Sequence, residues 1–217
     1  MELTKSYERV VPPAIRDRYD LIEVREAAAV ISQTNPVEFG EIMDVLEWFS
    51  LGDDDFLVEG GQKSNTASRL DLAFRERGWR EGRYDTNVTA ELTLVPYKPA
   101  GETEPDITRT QVFNEGYKVD NVKGRIALDV EWNAKDGNLD RDISAYRALY
   151  EGAIITAAVI ITRSQDDLRA LGTRIGRNPF GTTTTTNLPK LQPRLTRGDS
   201  GGCPVLAVAI TARCYQP

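Results

Sequence analysis

Residues 153–162 read AIITAAVIIT, and this run constrains the fold more than any other stretch of the chain. It is rich in β-branched residues and almost wholly apolar, which is the signature of a strand buried on both faces. Such a strand needs layers of helix on either side of its sheet, so the run predicts an α/β architecture. It is far too short to cross a bilayer and Thr156 interrupts it, so a membrane span is not expected. With 217 residues, 40% of them hydrophobic, the chain can build one substantial core around this strand.

The elements around the run fit that architecture. Residues 19–24 read as a short strand. Residues 27–31 and 37–49 read as helices on either side of Asn35-Pro36, the second with Ile42, Val45, Leu46 and Phe49 at helical spacing. Asn65 or Thr66 can cap a helix that runs to Arg77 and stops at Gly78. Residues 88–95 alternate as a strand, and 96–106 form a loop. Next come a strand end over 118–121, a turn at Lys123-Gly124, a strand over 125–132 and a helix over 139–150. The buried run, a helix around 166–171, the loop GRNPFGTTTTTN and a last apolar strand over 204–211 complete the chain. Internal repeats and extended linkers are absent from the sequence.

The absence of histidine narrows the chemistry. It excludes histidine-bound zinc, histidine-dependent nucleases, and any serine or cysteine nucleophile activated by histidine. The motif GDSGG at 198–202 matches the nucleophile segment of trypsin-like proteases, but without a histidine it reads as a glycine-rich loop leading into the last strand. Two cysteines, Cys203 and Cys214, are too few for a disulfide scaffold and read as small core residues. MELTKSYERVVPP lacks the apolar segment of a secretory signal, so a cytoplasmic location is expected. The net charge of −6 is unevenly spread: residues 141–217 hold 10 Lys and Arg against 5 Asp and Glu. An acidic first part therefore leaves room for a locally positive face at the C-terminal end.

Within YKVDNVKGRIALDVEW, Asp129 and Glu131 are two apart on a strand and point to one face, whereas Leu128, Val130 and Trp132 point to the other. Asp120 lies nine residues upstream across a tight turn, so a hairpin can bring it alongside. Three carboxylates converging at a sheet edge repel one another unless a hard cation neutralises them, and oxygen-only ligands favour Mg²⁺. That arrangement suits phosphodiester hydrolysis without histidine. Acids flanking a hairpin are also an ordinary solvated surface, and spacing alone does not separate the two readings.

Longer segments carry a resemblance. VDNVKGRIALDVEWNAKDGNLDRDISAYRALYE followed by GAIITAAVIITR, the upstream GGQKSNTASRLDLAFRERGWREGRYDT and the closing GCPVLAVAIT resemble type II restriction endonucleases of the BglII, BamHI and BstYI group, over residues 55–212. The resemblance implies a PD-(D/E)XK core, a mixed central sheet flanked by helices, in one nuclease domain over 1–217. Within it, 1–55 would be an N-terminal helical part, 56–163 the catalytic core, and 164–217 a DNA-recognition loop with the last strand. Asp120 resembles the family's first metal-binding aspartate, and Asp129 and Glu131 its following acidic pair, with the Val130 carbonyl as a further metal ligand. Position 129 is Asp where close relatives carry Glu. Position 131 is Glu where most of the superfamily carries Lys, which leaves open whether Glu131 is general base or ligand.

The resemblance also implies double-stranded DNA as substrate, Mg²⁺ as cofactor and cleavage to 5′-phosphate and 3′-hydroxyl ends. A palindromic site, with a GATC core by analogy, implies a two-fold homodimer. A cognate methyltransferase would act on the same site. DNA contacts would come from Asn133, Lys135 and Arg141 after the catalytic strand, then from Arg163, from Arg177, Thr183 and Thr184 in the threonine-rich loop, and from Lys190. Two other readings carry the same acids: a structure-selective repair nuclease, and a DNA-binding protein that has lost cleavage.

Overall fold

The computed structural model describes residues 1–56, 65–176 and 185–217. Two four-residue helices, α1 (Tyr7–Val10) and α2 (Pro13–Arg16), lead into strand β1 (Tyr19–Val24). Helices α3 (Ala27–Thr34) and α4 (Pro36–Trp48) follow, with Pro36 opening the second where its missing N–H is not needed. Next come α5 (Asn65–Glu76), the long strands β2 (Arg80–Leu94) and β3 (Asp106–Lys123), and β4 (Ile126–Val130). The chain closes with α6 (Gly137–Glu151), β5 (Ala157–Arg163), α7 (Gln165–Arg174), α8 (Leu188–Arg197) and β6 (Val205–Ile210).

Among the described residues, six strands form one mixed sheet in the order β1-β6-β5-β4-β3-β2. The strand foreseen in the apolar run is β5, parallel to both β4 and β6, and every one of its residues is buried. It starts four residues later than the sequence suggests. Ala153 takes a left-handed backbone at φ 58° and Ile154 is exposed, so the first part of the run turns the chain out of α6.

The sheet is covered on both faces. Ile126, Leu128 and Val130 of β4, with Val159 and Ile161 of β5 and Leu206 and Val208 of β6, pack against Ile31, Ile42, Leu46, Leu70 and Phe74 of α3, α4 and α5. On the opposite face α6 lies over β4 and β5, and the Tyr146 hydroxyl donates to the Val159 carbonyl at 3.1 Å. Helix α8, which the sequence reading passed over, is concealed by Pro189 and Pro193 but buries Leu191 and Leu195. Asn187 caps it, accepting from the Lys190 N–H. Cys203 and Cys214 are buried thiols, and burial pushes Cys203 up to about 12. Ser200 of the GDSGG motif is fully buried and donates to the Cys203 carbonyl, as a loop residue does. Among the described residues no helix is long and apolar enough to cross a membrane.

By its internal contacts the chain divides into two compact units, Met1–Gly82 with Lys118–Pro217, and Arg83–Tyr117. The second unit consists of the outer lengths of β2 and β3 with their connection, where the sequence showed only a short strand and a loop. Its strands run in opposite directions, tied by Gln111 to Asn87 at 2.9 Å, Arg109 to Glu91 at 2.6 Å and Arg83 to Glu115 at 2.8 Å. Gly116 is required there. A Cβ would stand 1.6 Å from the Tyr84 carbonyl oxygen.

Candidate active site

The turn between β3 and β4 pairs Asn121 with Leu128, which sets Asp120 beside Asp129. Gly124 makes the turn, at φ 53°. The Asp120 N–H donates to the Asp129 carboxylate at 2.8 Å, so two of the three acids singled out in the sequence are brought together as the spacing suggested. Their setting differs from expectation. β4 is an inner strand and not an edge, and the acidic face of β4 is roofed by α6: Asp129 is 3% exposed and Glu131 4%.

The roof supplies two residues that the sequence reading missed. Asp142 and Tyr146 are four apart on α6 and therefore share a helix face. The Tyr146 hydroxyl donates to Asp129 at 2.6 Å. Asp142 is 1% exposed and lies within hydrogen-bonding reach of the Glu131 carboxyl. One of its oxygens accepts from Arg141 Nη2 at 3.1 Å and Nε at 3.2 Å. Nothing in the local sequence marked Asp142, which sits among polar residues of an amphipathic helix. The available signal was its helical spacing from Tyr146. On the other face of the sheet, shared with Leu128, Asn121 donates to Asp71 of α5 at 3.0 Å.

These acids cannot all be charged without help. Burial pushes Asp129 up to about 8, with Asp142 adding to the effect and the donors Asp120 N–H and Tyr146 partly offsetting it. Burial likewise pushes Glu131 up to about 9, again with Asp142 as the next cause. Asp142 is itself raised by burial, against the pull of Glu131 and Arg141. Two buried acids elsewhere are met by donors instead. Glu23 accepts from the Ala28 N–H at 2.7 Å and the Ser6 hydroxyl at 3.0 Å, and Asp55 from Thr66 at 2.7 Å and Arg69 at 3.0 Å.

Among the described residues no three acidic side chains already stand in the arrangement of a ready metal site. The donor chemistry nevertheless fits a hard divalent cation. Glu131 Oε2 and Asp142 Oδ2 are buried where no N–H or hydroxyl donor meets them, in a cluster of oxygen ligands only.

Several residues expected at the DNA gather around the end of β4. Asn133 and Lys135 are exposed, and Lys135 bridges to Thr185. The Thr186 N–H donates to the Ala134 carbonyl at 2.9 Å, and the Thr162 and Thr186 hydroxyls donate to the Glu131 carbonyl at 2.9 and 3.0 Å. The last two threonines of the loop are thereby tied to the chain at the end of β4. Arg141 is half exposed but engaged with Asp142. Lys190 reaches Asp136 at 3.2 Å.

Arg163 is a correction. Expected to face DNA, it is fully buried. Its guanidinium lies over the Trp132 ring, 5.8 Å from the centroid, and donates to Asn133 at 2.5 Å and to the Thr185 hydroxyl. It is the last residue of an inner strand, so its side chain is enclosed where a surface residue's would be free. Arg177, Thr183 and Thr184 lie outside the described residues.

A family model described as restriction endonuclease BglII/BglIII matches residues 19–210, nearly the whole chain. No curated protein matches it.

Proposed function

Because the chain belongs to the BglII/BglIII family of restriction endonucleases, and is thereby a type II site-specific deoxyribonuclease, we propose that it cuts both strands of a short palindromic site with Mg²⁺, leaving 5′-phosphate and 3′-hydroxyl ends. The observation that carries this reading is the pair Asp129 and Glu131, side by side on β4 and buried under α6, with the Asp120 N–H bound to the first. Asp120, Asp129, Glu131 and the Val130 carbonyl would hold the cation. A bound Mg²⁺ would neutralise charge at the scissile phosphate and the leaving 3′ oxygen and acidify the attacking water.

The chain's own residues have distinct tasks. Tyr146 and the Asp120 N–H orient the Asp129 carboxylate. Glu131 faces the same site from two residues along the strand and is either the proton acceptor or a second ligand. Asn133 and Lys135 meet the DNA beyond the end of β4, Asn133 at a base edge and Lys135 at phosphate. Arg163 acts behind them, holding Asn133 and Thr185. Arg141, Arg177, Thr183, Thr184 and Lys190 complete the DNA-facing set. A palindromic site calls for a two-fold homodimer with one such centre per strand, and a methyltransferase modifying the same site, with a GATC core, would protect the host.

The test is digestion of unmethylated phage DNA in Mg²⁺ and in EDTA, with the fragment ends sequenced. Discrete Mg²⁺-dependent fragments sharing one palindrome are expected. A smear would mark a nuclease without site specificity, and no cleavage would mark a protein that only binds.

A further inference from the structure

We propose that Asp142 of α6 supplies a further carboxylate of the metal centre, facing the divalent cation together with Asp129 and Glu131. The inference deepens the reading given above and rests on it.

Two independent observations lead to Asp142. The first is its placement. Tyr146, one helical turn further along α6, is held at β4 and β5 by its hydroxyl's contacts with Asp129 at 2.6 Å and the Val159 carbonyl at 3.1 Å. This anchor fixes the face of α6 that carries Asp142 against the acidic face of β4. The second is what its carboxylate lacks. Oδ1 is occupied by both Arg141 nitrogens, but Oδ2 is buried where no N–H or hydroxyl donor meets it. Opposite it, Glu131 Oε2 is also buried where no such donor meets it.

Two carboxyls in hydrogen-bonding reach of each other in a buried setting cannot both carry charge unless a proton or a cation stands between them. The contrast with Glu23 and Asp55 is direct, since backbone and side-chain donors meet those acids. A hard cation between the two oxygens satisfies both at once, and its charge answers the excess that Asp120, Asp129, Glu131 and Asp142 gather. Arg141 fits as the clamp. By holding Oδ1 from the exposed side it leaves Oδ2 aimed inward.

The experiment is a thermal-melting titration with Ca²⁺ and with Mn²⁺ on the wild-type protein and on Asp142→Asn, starting from the protein in EDTA. Wild type is expected to gain melting temperature with each cation. Asp142→Asn is expected to need roughly 10- to 100-fold more cation than wild type for half of its stabilisation. An unchanged half-saturation overturns the proposal and leaves Asp142 as the ion-pair partner of Arg141. If Asp142→Asn does not fold, Asp142→Glu takes its place. That variant keeps the charge while moving the oxygens by one methylene, and a half-saturation equal to wild type overturns the proposal in the same way. Wild type that gains nothing from either cation would sink the divalent-cation reading itself, a result distinct from a failure confined to Asp142.

Discussion

The buried acids under α6 should give the metal-free protein an unusual stability profile near neutral pH. In the unfolded chain Asp and Glu lose their protons near pH 4. In the folded protein Asp129 is pushed up to about 8 and Glu131 up to about 9, by burial first and by neighbouring Asp142 second. Below pH 4 both states hold these protons, so the native protein has its full stability there with respect to these groups. From about pH 5 to 8 only the native state holds them, and stability falls as pH rises. Each retained proton costs about 1.4 kcal/mol per pH unit. A single retained proton therefore removes about 2.7 kcal/mol between pH 5.5 and 7.5, which for a chain of this size is about 5 to 11 °C in melting temperature. The window is clean because the protein has no histidine to titrate in it. Calorimetric melting in EDTA across that range should show the fall, and saturating Ca²⁺, displacing the protons, should flatten it. A melting temperature that stays level or climbs from pH 5.5 to 7.5 in EDTA would refute the reasoning.

Further outcomes are expected from single substitutions. Asp120→Asn or Glu131→Ala should lower phage-DNA cutting by on the order of 10³-fold, since a lost metal interaction costs several kcal/mol in the transition state; gel-shift binding in Ca²⁺ should survive, and loss of folding in both would make these acids structural. Tyr146→Phe removes the one hydroxyl shared between Asp129 and the Val159 carbonyl and should cost about 1–3 kcal/mol in denaturant unfolding. Arg163→Met should weaken cognate DNA binding roughly 10- to 100-fold by releasing Asn133, while leaving the Ca²⁺ melting titration unchanged; equal binding by both proteins would count against the positioning role. Gly116→Ala forces a Cβ onto the Tyr84 carbonyl, so cleavage within 83–117 in limited proteolysis should quicken, and an unchanged digest would contradict that clash.

Periodicity was most informative where one element decided its own burial. The all-apolar run became β5, and alternation in LDVEW put Asp129 and Glu131 on one face, because a strand's two-residue repeat is local geometry. The helices α3 and α4 around Asn35-Pro36 were equally legible, since proline acts on its immediate neighbours. Elements whose stability depends on distant partners were not. Helix α8 contains two prolines and little propensity, and it holds because Leu191 and Leu195 find a buried place. Of the long strands β2 and β3 only residues 88–95 and 118–121 were read as strand, because both faces of their outer lengths are exposed and burial imposes no sustained apolar alternation.

The sequence by itself determined the layered α/β class, the three acids, the exclusion of histidine chemistry and, through extended resemblance, the nuclease family. Only the tertiary structure decided how those acids are surrounded. The covering of β4 by α6 depends on packing between residues far apart in the chain. That covering buries Asp129 and Glu131, adds Asp142 and Tyr146 to them, and raises their affinity for protons. In the same way, the enclosure of the last residue of β5 turned Arg163 from an expected DNA contact into the support of Asn133. Side-chain direction along one strand is set by the backbone repeat, but the dielectric, charge and hydrogen-bond partners that a side chain meets are set by whichever elements fold against it.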